Sequence, residues 1–186
     1  MDSVDVECAT QRRIAVINAP TSNADSVAEL VVALFLMLSR MLYEANVKSR
    51  ESSFEKKAPA NFRGLEMNGK VFGQIGMGNI AQRVARIMHN GFGCKVLGYD
   101  PFISAEDALY DCLVSGQLRG AACCDTFADG EPVSPDHKLL TLRNFSATPH
   151  LGGNTEEALQ KTGMQIVKDT LAYLNGEGGY HQVNKF

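Results

Sequence analysis

The stretch GKVFGQIGMGNIAQRVARIMHNGFG, residues 69–93, decides the fold because it joins an apolar strand to a helix through a glycine-rich turn. The strand runs from Lys70 to Ile75, and we predict that the helix ends at Gly91 or Gly93, since glycine commonly terminates helices. A strand that leads directly into a helix begins a βαβ unit, and such units build parallel sheets.

The turn between strand and helix has the pattern G-x-G-x-x-A, formed by Gly76, Gly78 and Ala81. Gly76 permits the tight turn, and Gly78 lets the backbone approach a pyrophosphate with no Cβ in the way. Ala81 allows the helix to pack near the strand, and the helix N-terminus offers N–H donors to the phosphates. The pattern predicts a dinucleotide site, although glycines at this spacing also close ordinary tight turns.

The next strand, KVLGYD at residues 95–100, ends in Asp100. An acidic residue at this separation from Gly76 accepts hydrogen bonds from the ribose of an adenosine. The same carboxylate would repel a 2′-phosphate, so the pattern favours NAD over NADP as the cofactor. The alternative is that Asp100 only forms a turn before Pro101.

Helices and strands alternate along the rest of the chain. The predicted elements are a strand at Ile14–Ile17, a long helix within residues 22–50, a helix at Ser104–Ser115, strands at 120–127 and 144–149, and a helix from about Thr155 to Leu174. For the long helix we expect a capping box of Ser26 and Glu29, with Asn23 or Asp25 as alternative caps. The alternation predicts an α/β fold, a Rossmann-type doubly wound parallel sheet.

Composition narrows the class of protein. Of the 186 residues, 45% are hydrophobic and 21% charged, and the formal net charge of -3 gives no electrostatic reason to expect nucleic acid or a membrane as partner. The five cysteines are odd in number and show no C-x-x-C spacing, so we expect reduced thiols in a cytoplasmic protein and no metal site. The first 13 residues lack a signal-peptide pattern, and the apolar run at 27–38 is too short to span a bilayer.

Several segments resemble one known family in composition and order. They are VDVECATQRRIAVINAPTSNADSVAEL, GKVFGQIGMGNIAQRVA, VLGYDP, ALYDCLVSGQLRGAACCDTF, EP at residues 131–132, and TPHLGGNT. Together they resemble the D-isomer-specific 2-hydroxyacid dehydrogenases, which include phosphoglycerate dehydrogenase, glyoxylate/hydroxypyruvate reductase and the C-terminal-binding-protein corepressors. The resemblance implies an NAD-dependent oxidoreductase that interconverts a small-molecule 2-hydroxy acid and a 2-keto acid by hydride transfer.

The resemblance also implies catalytic roles for two residues. His150, in TPHLGG, matches the family histidine that acts as acid and base on the substrate C2 oxygen. Glu131, in GEP, matches the glutamate that holds this imidazole and favours its charged form. These residue types suit the chemistry, because a hydroxyl loses its proton as hydride leaves and an imidazole titrates near working pH.

Further matching positions imply contacts with the cofactor. Asp125 matches the family acid that faces the nicotinamide carboxamide, and Gly152 and Gly153 match the turn beside it. Asn79 and Ile80 match residues that lie against the pyrophosphate.

Two departures from the family pattern bear on activity. Family members carry a substrate-binding domain built largely before the segment that begins here at Met1. They also carry strand-helix units, and an Asn-x-x-Arg-Gly turn with the catalytic arginine, where this chain passes almost directly from Asp100 to Ser104. We therefore expect an internal deletion at about residues 102–104. The other arginines that could supply the charge, none of which ends a strand in the required context, are Arg63, Arg119 and Arg143.

We predict three regions: a hinge remnant of the substrate-binding domain at residues 1–20, an NAD-binding domain at 21–153, and a C-terminal helix and tail at 154–186. Loss of central strands would leave the strand of GKVFGQI unpaired on one edge unless GAACCDTF pairs with it. It would also uncover apolar faces of the helices, including the helix from Val27, so self-association as a homodimer is expected. The alternatives to an active enzyme are a nonenzymatic NAD-binding or interaction module and an incomplete variant of an active parent.

Overall fold

The computed structural model describes residues 4–51, 62–99, 114, 122–127 and 134–186. Within these ranges the elements are α1 (Val6–Gln11), α2 (Ala24–Ser39), α3 (Leu42–Arg50), β1 (Val71–Ile75), α4 (Asn79–Phe92), β2 (Lys95–Tyr99), β3 (Ala122–Cys124), a 3-10 helix (Lys138–Thr141), β4 (Phe145–Ala147) and α5 (Glu156–Leu174). The chain divides into two units. One comprises Met1–Ser26 and Gly153–Phe186, and the other comprises Val27–Gly152.

The predicted helix at 104–115 and the predicted deletion at 102–104 lie outside the described residues, apart from Val114.

The unit Val27–Gly152 contains two parallel strand pairs. β1 pairs with β2 in a register that matches Val71 to Lys95 and Ile75 to Tyr99. β3 pairs with β4, with Ala122 opposite Phe145. In the described part of the chain these pairs are separate two-stranded sheets, so β3 does not take the place beside β1. In each pair the strands are parallel, and helical residues lie between them in the sequence: α4 between β1 and β2, and the 3-10 helix between β3 and β4. This arrangement is an incomplete Rossmann-type α/β fold.

The larger core of this unit forms around Phe72 of β1. Its ring lies edge-on to Phe35 of α2, with ring centroids 5.0 Å apart. Val84 and Met88, one turn apart on α4, are buried in the same cluster. Phe145 of β4, Leu139 of the 3-10 helix and Phe127 form a second cluster.

Exposed apolar surface lies on the sheet rather than on α2. Because side chains alternate along a strand, the neighbours of Phe72 point to the opposite face. That face exposes Val71 (60%) and Ile75 (51%) from β1 and Leu97 (53%) and Tyr99 (62%) from β2. The large apolar residues of α2 are buried or half-buried. The prediction that the helix from Val27 would lose its cover was therefore wrong for α2, whereas Leu42 (52%) and Tyr43 (65%), in the α3 part of the same predicted helix, are exposed.

The predicted long helix is two helices, because the chain breaks at Met41. Met41 adopts a left-handed conformation with φ 53°. The carbonyl of Ser39 accepts a hydrogen bond from the Leu65 N–H at 2.9 Å, a donor outside the helix. Gly64 makes this approach possible, since a Cβ there would lie 2.7 Å from the Ser39 oxygen. α2 begins at Ala24, so Asn23, one of the alternative caps, directly precedes it.

Both ends of the chain contribute to the other unit, Met1–Ser26 with Gly153–Phe186. The predicted strand Ile14–Ile17 forms only a single antiparallel bridge, between Ile17 and Gln182. The buried Asn184 side chain explains this, because its oxygen accepts from Val16 N (2.8 Å) and its amide donates to Ile14 O (2.9 Å). A side chain thus satisfies backbone groups that a partner strand would otherwise pair.

Asp169 of α5 fixes the C-terminal tail within the same unit. It is 2% exposed, and it accepts hydrogen bonds from the ring and backbone nitrogens of His181 (2.7 and 3.0 Å) and from Gln165 (2.6 Å). The side-chain hydrogen bond from His181 is the main reason that the pKa of Asp169 lies below its ordinary value of 3.8. α5 begins as predicted, with the Thr155 hydroxyl accepting from Ala158 N at 3.2 Å.

Among the described helices, none by itself has the length and hydropathy of a membrane span. α2 and α3 meet that test only when they are taken together across a bend of 66°.

Candidate functional site

The glycine turn, Gly76–Gly78, lies between β1 and the start of α4. Gly76 has φ 87°, a left-handed value that favours glycine, and its N–H donates to Tyr99 O at 2.7 Å. Gly78 is the N-cap residue of α4, and no side chain caps the helix there. A Cβ at either glycine would have no described atom within 4 Å. The turn therefore leaves space and backbone N–H donors in front of the helix, which suits a pyrophosphate.

Asn79 and Ile80 occupy the first turn of α4, directly after the glycine turn. Both are exposed, and Ile80 retains 37% of its accessible surface. The predicted phosphate-binding residues Gly76, Gly78, Asn79 and Ile80 thus lie together at the carboxyl end of β1. Ligands of open α/β sheets bind at such ends.

Gly98 is a residue of this region that the sequence interpretation missed. A Cβ at this position of β2 would clash with the Met77 side chain, whose Cγ and Cε would lie 2.9 Å away. Met77, the middle residue of the glycine turn, thus packs against a strand with no side chain at that point. The available signal was the glycine itself, since glycine inside a strand often marks close approach of another group.

Gln74 places a polar side chain beneath the glycine turn. Its Nε2 donates to Ala81 O at 2.9 Å, and its buried Oε1 has no hydrogen-bond partner among the described residues. A buried acceptor without a partner lowers stability.

A second group of predicted site residues lies at the carboxyl ends of β3 and β4. We call residues Thr148–Gly152 the histidine turn; they directly follow β4, and Asp125 directly follows β3. The Asp125 carboxylate accepts from the Thr148 hydroxyl (2.5 Å), Leu151 N (2.8 Å) and Gly152 N (2.7 Å). The structure therefore brings Asp125, His150 and Gly152 together.

His150 is exposed at the centre of the histidine turn. Its backbone is left-handed, with φ 55°, and its N–H lies 3.0 Å from both Asp125 O and Thr148 O. An exposed imidazole at the carboxyl edge of a parallel sheet is placed where a ligand of the sheet would lie.

Cys123 lies beside this group on β3 but is not suited to nucleophilic chemistry. Burial, with smaller contributions from Cys124 and Asp125, raises the pKa of the Cys123 thiol to about 11. The thiol is therefore neutral at physiological pH, whereas the thiolate is the nucleophilic form.

The remaining predicted residues are placed as follows. Gly153 begins the second segment of the unit that contains α5, where a Cβ would lie 3.1 Å from Asn23 Nδ2. Arg63 and Arg143 are exposed. Asp100, Arg119 and Glu131 lie outside the described residues, so their roles stay predictions.

Within the described ranges, His, Cys, Asp and Glu side chains form no group of three that could hold a metal ion.

Comparison with known proteins gives one family match over almost the whole chain. The family described as "D-isomer specific 2-hydroxyacid dehydrogenase, catalytic domain" matches residues 1–184. A D-3-phosphoglycerate dehydrogenase of Methanocaldococcus jannaschii is 29% identical over 246 residues, covering 99% of this chain and 46% of the relative. A hydroxypyruvate reductase of Thermotoga maritima is 32% identical over 228 residues, covering 90% of this chain and 72% of the relative.

The lengths of these alignments add a further finding. The chain spans about half the length of the Methanocaldococcus relative. Both alignments are longer than the 186 residues of this chain, so both relatives carry residues without a counterpart here. An internal deletion would have this effect, while its location at about 102–104 stays a prediction.

Solved structures share the fold. A Thermus thermophilus protein superposes with a TM-score of 0.79 at 26% identity, covering 99% of this chain and 76% of that one. The D-lactate dehydrogenase of Aquifex aeolicus, solved with NAD and lactic acid, gives a TM-score of 0.69 at 20% identity, covering 95% and 74%.

Proposed function

Because the chain belongs to the D-isomer specific 2-hydroxyacid dehydrogenase family, we propose that it is an NAD-dependent oxidoreductase by descent. Its substrates would be a small 2-hydroxy acid and the corresponding 2-keto acid, interconverted by hydride transfer. The observation that carries the proposal is the open glycine turn, which ends in an uncapped helix N-terminus. In this proposal NAD would accept the hydride. The chain would bind the cofactor through the glycine turn and transfer the proton through His150.

The cofactor would bind with its pyrophosphate against Gly76, Gly78, Asn79 and Ile80. The first N–H groups of α4 carry the positive end of the helix dipole and favour this anion. Asp100 would accept hydrogen bonds from the adenosine ribose and disfavour NADP. Asp125, Gly152 and Gly153 would lie on the nicotinamide side, as in the family pattern.

His150 would exchange a proton with the C2 oxygen of the substrate. Its exposed position at the carboxyl end of β4 supports this role. Glu131 would hold the imidazole and stabilise its charged form. The arginine that binds the substrate carboxylate in the family has no counterpart in this chain. We therefore propose that the chain turns over its substrate slowly.

A nonenzymatic NAD-binding or interaction module is the second candidate. The exposed apolar face of β1 and β2 favours it, because large exposed apolar patches commonly mark contacts with another protein. A homodimer formed through apolar surface is part of this proposal. Cytoplasmic location is also proposed, since the described cysteines are free thiols, as reducing compartments maintain them.

Titration with NADH tests the cofactor site. A Cβ at Gly78 would contact no described atom and φ there is -68°, so Gly78→Ala should fold and obstruct only a bound pyrophosphate. We expect the Kd for NADH to rise about tenfold or more, equivalent to about 1.4 kcal/mol. Gly91→Ala, which adds a Cβ in open space near the other end of α4, is the matched control and should leave the Kd unchanged. Equal affinities for all three proteins would refute binding at the glycine turn.

Turnover separates the two candidates. With hydroxypyruvate or glyoxylate and NADH, we expect rates roughly a hundredfold or more below those of a complete relative, because substrate orientation is lost without the arginine. His150→Gln should remove the residual rate. Rates equal to those of a complete relative would contradict the proposed effect of the deletion, and NADH binding with no turnover at all would favour the nonenzymatic module.

A further inference from the structure

We infer that Asp125 is a positioning residue, whose carboxylate fixes the histidine turn and thereby the location of His150. The inference rests on the proposed function for the catalytic role of His150. It differs from the family-based expectation, in which Asp125 faces the nicotinamide. The observation behind it is that, among the described residues, the hydrogen bonds to this carboxylate come from Thr148, Leu151 and Gly152.

The hydrogen bonds surround His150 on both sides in the chain. Thr148 lies two residues before it, and Leu151 and Gly152 are the next two residues after it. The backbone oxygen of Asp125 also accepts from His150 N at 3.0 Å. Asp125, at the end of β3, therefore accepts hydrogen bonds from the Thr148 hydroxyl and from the N–H groups of His150, Leu151 and Gly152. These bonds tie the turn after β4 to the end of β3 and thereby fix the position of His150.

The backbone of His150 requires such support. Residues other than glycine rarely adopt a positive φ, and they persist in it only where surrounding contacts determine the conformation. His150 has φ 55°. The contacts of Asp125 with Thr148 and Leu151, on either side of this residue, provide that determination.

Gly152 fits the same interpretation. A Cβ at this position would lie 2.7 Å from Asp125 Oδ2 and 2.9 Å from Val27 Cγ1. The absence of a side chain therefore allows the Gly152 N–H to reach the carboxylate. This requirement comes from the protein itself and exists whether or not a cofactor is bound.

The carboxylate has little capacity left for other donors. An ionised carboxylate offers about four lone-pair positions, and three of them already receive a hydroxyl or N–H from the histidine turn. With respect to the part of the chain that the structure describes, one position, on Oδ2, remains for a donor such as a carboxamide. Asp125 would thus contact a nicotinamide secondarily, while its main role is to orient the residues around His150.

NMR spectroscopy on 15N-labelled protein, with amide hydrogen exchange, tests the inference without requiring turnover. Thr148→Val removes the hydroxyl donor but keeps the side-chain size. We expect the Gly152 and Leu151 amides to exchange about tenfold faster and the His150 backbone coupling that reports φ to change. Thr148→Ser retains the hydroxyl and should behave like the unmodified protein. Thr141→Val is the matched control, since the Thr141 hydroxyl donates to nearby Lys138 O rather than to Asp125.

The opposite results would overturn the inference. If Thr148→Val folds and leaves both the exchange and the His150 coupling unchanged, the carboxylate does not position the turn. Asp125→Asn is the second variant, for the case in which Thr148→Val does not fold. Its amide must place NH2 against the N–H of either Leu151 or Gly152, so faster exchange is expected at that residue. Unchanged exchange at both would again contradict the proposal.

Failure of this inference is distinguishable from failure of the proposed function. If NADH binds through the glycine turn and Thr148→Val changes nothing, only the positioning role is lost. If Thr148→Val gives the expected changes and NADH never binds, the positioning of His150 stands and the cofactor proposal is lost. Where residual turnover is measurable, Thr148→Val should lower kcat about tenfold while the Kd for NADH stays within about twofold.

Discussion

The two parallel sheets in the described part of the chain both end in turns that contain glycine, but they need glycine for different reasons. At the end of β1, Gly76 and Gly78 face space in which a Cβ would contact no described atom. At the end of β4, a Cβ on Gly152 would approach the Asp125 carboxylate within 2.7 Å. The first turn is open, although its Gly76 N–H donates to Tyr99 O, and the second uses its Leu151 and Gly152 N–H donors within the protein. Glycines that appear equivalent in a motif can thus border open space in one place and permit close internal packing in another.

Substitution of Gly152 should give the largest change in the free energy of unfolding among the glycines of the two turns. Gly152→Ala should lower the free energy of unfolding by about 2 kcal/mol, because the added Cβ meets both a carboxylate oxygen and the branched Val27 side chain. Urea denaturation measures the change. Gly91→Ala, where a Cβ meets open space, should not destabilise the protein. Equal stability of the two variants would mean that the two turns do not differ as described.

Substitution of Gln74 in β1 should change the free energy of unfolding by a smaller amount and should raise it rather than lower it. Gln74→Leu removes a buried acceptor that has no partner among the described residues, and it also removes the hydrogen bond from Nε2 to Ala81 O, which offsets part of the gain. We therefore expect the free energy of unfolding to rise by no more than about 1 kcal/mol. The control is Gln82→Leu, on an exposed side chain that donates to Met77 O. A loss of stability in Gln74→Leu would show that the side chain has a function at the glycine turn that outweighs its cost.

Gly98 should give the smallest change in stability. Gly98→Ala would displace the Met77 side chain, but methionine is flexible, so we expect a loss of no more than about 1 kcal/mol. Because Met77 is part of the glycine turn, NADH affinity should fall more clearly than stability. The double variant Gly98→Ala with Met77→Ala should recover the stability, and failure to recover it would exclude this contact as the cause.

Local signals in the sequence account for the parts that were predicted well. The Gly93 terminus of α4 and the Thr155 cap of α5 are both determined by residues a few positions away. β1, α4 and β2 follow from hydrophobic pattern and glycine placement in the same way. The glycine turn could therefore be located from the sequence alone.

Contacts between distant residues account for the parts that were missed. The break at Met41 depends on Leu65 approaching Ser39, and the loss of the strand at Ile14–Ile17 depends on Asn184. No local pattern records such approaches, because they depend on the folded path of the chain. The hydrogen bonds of Asp125 belong to the same class, since 23 to 27 residues separate it from its partners.

The bridge between Ile17 and Gln182 has a consequence for how the protein forms during synthesis. Asn184 bonds to Val16, Ile14 and Thr10, so the N-terminal segment has its partners only after residues near 184 have been made. The contacts of Thr10, Ile14 and Val16 with Asn184 therefore form late in synthesis, while β1, α4 and β2 depend mainly on neighbouring residues and are free to form first.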